Sequence, residues 1–298
     1  MKRRGEKREQ KALWASKAPA FVTHARDATP TDRAPMAGAW LPLESNPDVL
    51  NPFVRRLGVP DTWGFADVFG LDPELLMMVP QPCAALCLLY PSSKINQVRR
   101  AELSDRAKDQ PAVPDELFFL TQHDGIGNAC GTIACIHACA NASLSNLFTL
   151  DETGPLATFM REAQPLGIAE RGWALLKAKA LQELSDETAA SGETEGAGTD
   201  DAQGQHFIAF VNVKGMLYEL DGRNLTGDST TAIPFCHGAT SAETFVADAA
   251  AIIRDDFMAR DPCVLRARSP PTPCAPLART FHPLPSCHLP DLLPRFSR

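Results

Sequence analysis

The sequence has no apolar run long enough to cross a lipid bilayer, so we expect no membrane-spanning helix and no membrane partner. Its first residues, MKRRGEKREQK, lack the apolar core of a secretory signal peptide, and their glutamates argue against a mitochondrial presequence. No internal repeat is visible. With 44% hydrophobic and 22% charged residues, the composition is that of an ordinary soluble globular protein. We expect it in the cytoplasm, with the nucleus as a second compartment.

The nine cysteines do not form the even, closely spaced framework that small disulfide-rich secreted domains have. Five of them lie inside apolar runs, which is typical of proteins that stay reduced: Cys83, Cys87, Cys135, Cys139 and Cys236. Two C-x3-C spacings occur among these five, but no second pair of cysteines or histidines completes a zinc site. We therefore expect neither a bound metal nor a cofactor.

Positive charge is scarcer than negative charge: 29 Lys and Arg face 36 Asp and Glu, which gives a net charge of −7. This balance argues against nucleic acid as a partner and leaves room for a basic protein partner. Residues 1–38 are polar, basic and without periodicity, and residues 267–298 are rich in proline. We predict a disordered basic tail over 1–38, a folded catalytic domain over 39–266 and a second disordered tail over 267–298.

Apolar periodicity and turn residues place helices and strands within the folded region. The predicted helices are 49–57, 72–79, 158–166, 169–184 and 242–261. The predicted strands are 83–90, 116–120 and the two arms of a hairpin over 206–222 that turns at Lys214 and Gly215. Residues 185–205 are acidic and contain no large apolar residue, so we predict a mobile loop there.

The stretch GIGNACGTIACIHACAN, residues 125–141, passes from turn-forming residues into small and apolar residues that suit a buried helix. Cys130 is then the first helical residue, with Asn128 or Ala129 as the N-cap. A thiol at that position lies near the positive end of the helix dipole and near unpaired N–H groups, which favour the thiolate. Cys130 is a candidate nucleophile; the alternative is a small residue that packs at the start of a helix.

The hairpin supplies a candidate base and acid for that nucleophile. If it turns at the two residues named above, Asp221 is the diagonal neighbour of His206 on the same face, about 7–8 Å away at the backbone. An imidazole that a carboxylate orients is what a cysteine nucleophile requires. His137, farther along the helix of Cys130, is the alternative base, although its apolar neighbours favour a core role.

Five stretches, in this order along the chain, resemble the ubiquitin carboxyl-terminal hydrolases, the short single-domain cysteine deubiquitinases. They are WLPLESNPDVLN, FADVFGLDPELLMMVPQPCAALCLLYP, GNACGTIACIHACAN, HFIAFVNVKGMLYELDGR and DDFMARDP, and they span about residues 40–266. The resemblance implies an α/β (α+β) fold like that of papain, with a central antiparallel sheet flanked by helices and a crossover loop over the active site. It also implies that Cys130 is the nucleophile, His206 the general base and Asp221 the orienting acid. The acidic segment before His206 matches the crossover loop.

Two positions depart from the pattern of that family. Its members carry an oxyanion-binding glutamine six residues before the cysteine, where this chain has Asp124, a carboxylate that would repel an oxyanion. Gln122 lies two residues earlier, so we assign the oxyanion role to Gln122 and infer a two-residue insertion after it; Asn128 is the alternative donor. The family also ends in an apolar strand, and the prolines after position 266 predict that this strand is missing here.

The resemblance implies a thiol-dependent enzyme that hydrolyses bonds at the C-terminal glycine of ubiquitin. Small adducts, short peptides and ubiquitin precursors are the expected substrates, because a loop over the site would exclude folded conjugates. Ubiquitin is the expected partner, with NEDD8 as a related modifier, and we expect a monomer. The alternative, which Asp124 motivates, is a ubiquitin-binding protein with weak or no catalysis.

Overall fold

The computed structural model describes residues 39–192, 204–225, 230–260 and 278–284. The α-helices are α1 (Pro47–Leu57), α2 (Pro73–Leu76), α3 (Ser92–Arg106), α4 (Cys130–Leu144), α5 (Pro155–Ala163), α6 (Ile168–Lys177), α7 (Lys179–Ala190) and α8 (Phe245–Ile252). The strands are β1 (Trp63–Val68), β2 (Ala85–Pro91), β3 (Gln205–Val213), β4 (Met216–Leu220), β5 (Phe235–Ala239) and β6 (Ala278–Pro283). A π-helical turn, Ile253–Met258, continues α8, and 3-10 turns lie at Ala107–Asp109 and Asp124–Ile126.

The six strands form one antiparallel sheet in the order β1-β6-β2-β3-β4-β5. Alternate residues of β3 enter two separate hydrophobic cores, as the two-residue period of a strand requires. Ala209 and Val211 pack in the core that contains α4, whereas Ile208 and Phe210 pack in the core that contains α8. Helices therefore cover both faces of the sheet, which confirms the predicted α+β fold with a central antiparallel sheet.

The predicted hairpin is confirmed by the pairing of β3 with β4. Val213 is opposite Met216, so Lys214 and Gly215 are the two central turn residues. Their φ angles of 53° and 76° are positive at both positions, as a type I′ turn requires. The five predicted helices are also present, with shifted ends, as α1, α2, α5, α6 with α7, and α8.

The prediction of a disordered tail over 267–298 is wrong for β6, which belongs to the middle of the sheet. β6 pairs with β1 on one side and with β2 on the other. Phe281 of this strand is opposite Phe65 of β1 and is fully buried. Four prolines of this region precede the strand, Pro283 stands at its last position and three follow it, so no proline lies inside the strand.

The predicted strand at 116–120 is absent. This segment is largely buried, but its backbone groups bond to side chains of α4 instead of to a neighbouring strand. The Asn141 side chain accepts a hydrogen bond from the Phe118 N–H and donates one to the Phe118 carbonyl, both at 2.9 Å. Nε2 of His137 accepts from the Leu120 N–H at 3.3 Å. Two polar side chains of a buried helix thus make the hydrogen bonds that a neighbouring strand would otherwise make to this segment. The apolar pattern alone assigns the segment to the sheet.

The loop predicted over 185–205 starts later in the structure, since α7 continues to Ala190. Although this stretch is polar, one side of the helix that it extends faces inward. Ser185 is fully buried, and its Oγ lies 2.6 Å from Oγ1 of Thr132 on α4. Residues 193–203 of the predicted loop lie outside the described part of the chain, and for them the loop stays a prediction.

Besides β6, three elements are not predicted from the sequence: α3, β1 and β5. The α3 stretch SSKINQVRRAELSDR is mostly polar, so apolar periodicity does not reveal it. β1 and β5 are short, and neither alternates between buried and exposed residues, because Ala66 and Asp67 of β1 and residues 236–238 of β5 are half-buried in succession. The tail predicted over 1–38 lies outside the described residues.

Two kinds of feature are absent from the described ranges. No helix in them is both long enough and apolar enough to cross a membrane. No three histidine, cysteine, aspartate or glutamate side chains in the same ranges come together as a group that could hold a metal ion.

Candidate active site

The candidate nucleophile lies at the first residue of α4, as the sequence predicts. Ala129 is the N-cap, and its side chain accepts no hydrogen bond from the first turn of the helix. The N–H groups of that turn have no intrahelical partner, and together with the helix dipole they act on the half-buried thiol of Cys130. This position therefore favours a thiolate.

The turn that precedes the nucleophile is held by the first described residues. Gly127 has a φ of 81°, and a Cβ at this position would collide with the segment that crosses it. The Trp40 N–H donates to the Ile126 carbonyl at 3.0 Å, and the Trp40 carbonyl accepts from the Asn128 N–H at 3.2 Å. This bridge fixes the start of α4 relative to the rest of the fold.

The predicted base and acid are in contact. His206 lies near the start of β3, and Asp221 directly follows β4, the neighbouring strand. Nε2 of His206 is 2.6 Å from Oδ1 of Asp221, and both side chains are almost fully buried. Nδ1 of His206, the ring nitrogen that does not contact Asp221, is buried, and the Cys130 thiol lies close enough to His206 for the two groups to shift each other's pKa. The structure thus brings the three predicted residues together.

The three groups stabilise one another's charged forms. Burial alone would raise the pKa of the Cys130 thiol, but hydrogen bonding to His206 and the charge of that ring outweigh burial, and the pKa is lowered. Burial alone would lower the pKa of His206, but the charge and hydrogen bond of Asp221, together with Cys130, raise it to about 9. Burial opposes the charge of Asp221 as well, yet His206 and Arg100 hold its pKa well below the ordinary range. His206 is therefore charged at neutral pH and favours the thiolate form of Cys130.

These pKa directions predict how fast the thiol reacts. Iodoacetamide should modify Cys130 of the wild type at neutral pH, because its thiolate persists below the ordinary pKa of a thiol. In His206→Ala the imidazolium is lost while burial remains, so modification should be about tenfold slower or more. Mass spectrometry of the peptide that contains Cys130 measures both rates.

Cys135 and Cys139 are internal controls for this measurement. Burial raises the pKa of both thiols well above the ordinary range, so they should stay unmodified in both proteins. Equal rates for Cys130 in the two proteins would contradict the pairing of the thiol with His206.

His137, the alternative base, is a core residue. Its ring is fully buried and lies 5.0 Å from the ring of Phe119. Burial lowers its pKa to about 3, and its Nε2 already accepts a backbone hydrogen bond. A neutral histidine that packs and accepts in this way has a structural role, in agreement with the interpretation that the apolar sequence around it favours.

The structure separates the three oxyanion candidates. Gln122 is buried; its N–H donates to the Gly222 carbonyl at 2.7 Å, and its Nε2 donates to the Gly127 carbonyl at 3.0 Å. Gly222 directly follows the candidate acid, so this glutamine lies beside the triad. Asp124 is exposed at the start of a 3-10 turn, and Asn128 is half-buried. Asp124 therefore lies in a surface turn, while Gln122 stays inside.

Three further residues surround the base and the acid, and the sequence analysis does not identify them. Nη2 of Arg100 on α3 is 3.8 Å from Oδ2 of Asp221, and the Arg223 N–H donates to Oδ1 of the same carboxylate at 2.8 Å. The ring of Tyr90 meets the ring of His206 edge-on, with centroids 5.9 Å apart. The sequence could have pointed to Arg223, because it follows the predicted acid by two residues. It could not have pointed to Arg100, which lies on a helix that the sequence does not predict.

A thiolate that attacks and an imidazole that carries the proton place the protein among the cysteine-dependent hydrolases. Within that class, the chain belongs to the ubiquitin carboxyl-terminal hydrolase family. The family model described as ubiquitin carboxyl-terminal hydrolase, family 1, matches residues 40–259, which is most of the chain. The resemblance drawn from the five sequence stretches is thereby confirmed.

Curated relatives cover most of the same region. A ubiquitin carboxyl-terminal hydrolase of Aplysia californica is 44% identical over 225 residues, which cover 75% of this chain and 96% of the relative. One of Drosophila melanogaster is 40% identical and covers 76% of this chain and 94% of the relative. The human ubiquitin carboxyl-terminal hydrolase isozyme L1 is 37% identical and covers 72% of this chain and 89% of the relative.

Solved structures agree with the fold. The catalytic domain of Trichinella spiralis UCH37, bound to ubiquitin vinyl methyl ester, superposes with a TM-score of 0.55 and covers 82% of this chain and 95% of its own. The identity is 18%, so this similarity concerns the fold alone.

Proposed function

We propose that this chain hydrolyses the bond after the C-terminal glycine of ubiquitin, and that it prefers small adducts, short peptides and ubiquitin precursors. Membership of the family supports deubiquitinase activity. The observation that carries the proposal is the 2.6 Å contact between His206 and Asp221 beside the half-buried thiol of Cys130. An imidazole oriented in this way can accept the thiol proton and deliver it to a leaving group.

The reaction proceeds in two halves. The Cys130 thiolate attacks the glycine carbonyl carbon, a C–S bond forms, and the carbonyl electron pair moves onto oxygen. When this intermediate collapses, the bond to the leaving group breaks, and His206 gives its proton to the departing amine or alcohol. His206 then takes a proton from water, which attacks the thioester and expels the Cys130 thiolate with ubiquitin as a free acid. Asp221 fixes the ring and stabilises its charged form throughout.

Two donors would stabilise the oxyanion of each intermediate. Nε2 of Gln122 carries two hydrogens, and one of them is bound to the Gly127 carbonyl, which leaves the other for the substrate. The second donor is the backbone N–H of Cys130, at the start of α4. The burial of Gln122 and the exposure of Asp124 support this assignment over one in which a carboxylate faces the oxyanion.

The preference for small leaving groups rests on the segment between α7 and β3. The described chain resumes at Gly204, two residues before His206. The acidic sequence that precedes it matches the crossover loop that the family resemblance implies, and a loop over the site would limit the size of the group that can pass the thiol. The net charge of −7 suits a basic ubiquitin tail. We further propose that the protein acts as a monomer in the cytoplasm and nucleus.

The test is hydrolysis of a fluorogenic amide on the C-terminus of ubiquitin, with Cys130→Ala as the control. We expect turnover by the wild type and none by the variant. If folded wild-type protein binds ubiquitin but does not turn over, the binding-only alternative is correct and the proposal fails. The same assay with a NEDD8 amide, and with a ubiquitin linked to a folded protein, decides the modifier and the size limit.

A further inference from the structure

The residues on either side of Gln122 are bound to α6. The Thr121 N–H donates to the Ile168 carbonyl at 3.1 Å. Nε2 of His123 lies 2.9 Å from the Ala169 carbonyl, one residue farther along the same helix. Both neighbours of the glutamine are therefore anchored to the first turn of α6.

A ring stack extends this anchor. The ring of His123 lies parallel to that of Trp173 on α6, with centroids 3.7 Å apart and an interplanar angle of 10°. His123 is only 8% exposed and Trp173 is 48% exposed, so the tryptophan ring covers the histidine ring on the solvent side. Gly172 permits this contact, because a Cβ there would overlap the Thr121 carbonyl oxygen and lie 2.8 Å from Cδ2 of His123.

Gln122 itself bonds in a different direction from its two neighbours. Its N–H goes to Gly222 and its side chain to Gly127, at 2.7 and 3.0 Å. Successive residues of an extended segment point in opposite directions. The anchoring of Thr121 and His123 on α6 therefore fixes the direction in which Gln122, between them, points. The glutamine is held between α6 on one side and the turn that follows the acid on the other.

We propose that the stack of His123 on Trp173 is a positioning device that holds the Gln122 amide in place for the oxyanion, an inference that rests on the proposed function. The connection from Gln122 to Cys130 contains seven residues, two of them glycine, and a longer connection has more conformations. A hydrogen-bond donor stabilises a transition state only when it is already oriented. The stack restricts the connection at its first residue, where the effect on Gln122 is largest.

Trp173→Ala should therefore lower kcat about 10-fold to 100-fold on the ubiquitin amide, with KM within about twofold of the wild type. Trp173→Phe keeps an aromatic face for His123 and should retain most of the rate. The decisive comparison uses Gln122→Ala, which should itself lose about 10²–10³ in kcat. In that background Trp173→Ala should cost no further rate, because the positioned donor is gone.

Two glycine variants, one within α6 and one at its N-cap, supply a matched pair. Gly172→Ala should lower kcat as Trp173→Ala does, since its Cβ displaces the backbone at Thr121. Gly167→Ala should leave kcat unchanged, because its Cβ meets only the end of the Glu170 side chain, which can move. His123→Leu removes the ring stack together with the hydrogen bond to the Ala169 carbonyl, leaves the sequence of α6 unchanged, and gives a reading that does not depend on the folding of any helix variant.

The outcomes separate this inference from the proposed function. If the wild type does not turn over, the proposed function fails. If the wild type turns over and both Trp173→Ala and His123→Leu retain its kcat, the positioning role fails and the proposed function stands. A loss that is equally large with and without Gln122 would also overturn the positioning role, because it would show that the stack acts elsewhere. A loss of kcat that occurs only in proteins that carry Gln122 would establish the positioning role.

Discussion

Replacing His206 with alanine should lower kcat/KM on a ubiquitin C-terminal amide by about 10⁶-fold. Groups that act as one catalytic unit lose nearly all their effect when the nucleophile or the base is removed. In this chain the loss has a second cause, since the burial that raises the pKa of Cys130 is offset chiefly by His206. Without that ring, the thiol is protonated at neutral pH and the leaving group has no proton donor.

Asp221→Asn is the graded comparison, and its loss should be smaller, about 10⁴-fold. An asparagine keeps the contact with Nε2 but does not stabilise the imidazolium, so the ring loses its raised pKa while it stays in place. Steady-state kinetics of the two variants, with ubiquitin affinity and thermal stability measured beside them, check this order. A loss below about 100-fold for His206→Ala would mean that another group serves as the base.

The contact between His206 and Asp221 was predictable because its geometry is set locally. Once Lys214 and Gly215 are recognised as the turn, the register of a two-stranded hairpin places Asp221 near His206 without any knowledge of the rest of the fold. The position of Cys130 follows in the same way from the transition between turn residues and a helix. The distance between the Cys130 thiol and the His206 ring could not be predicted in this way, because it depends on how α4 packs on β3.

Features that depend on distant partners were not predictable from local patterns. The segment 116–120 has the composition of a strand, and only the packing of α4 shows that Asn141 takes the place of a neighbouring strand. The surface turn at Asp124 is a similar case, since a count of residues before Cys130 points to Asp124 and takes no account of its exposure. Burial, which the count ignores, distinguishes Gln122 from Asp124.

β6 is the largest difference between the expected and the observed fold, and it makes stability depend on the C-terminal region. The ring of Phe281 lies 5.0 Å from that of Phe65, 5.5 Å from that of Trp63 and 5.8 Å from that of Phe148. Removing a fully buried phenylalanine from such a cluster leaves a cavity that its neighbours fill only in part. Phe281→Ala should therefore lower the free energy of unfolding by about 3–5 kcal/mol, measured by urea denaturation.

Phe69→Ala is the matched control for this loss, because Phe69 is 63% exposed and its removal should change the free energy of unfolding by about 0.5 kcal/mol or less. Equal stability of the two variants would contradict the placement of β6 in the core. Activity gives a second criterion, since β6 pairs with β2, whose Tyr90 is opposite His206. Where Phe281→Ala is still folded, its kcat/KM should stay near that of the wild type, because Phe281 packs against rings of the core and not against the triad. The C-terminal strand thus maintains the sheet on which the base is mounted, and a loss of activity in this variant should follow the fraction of protein that is unfolded.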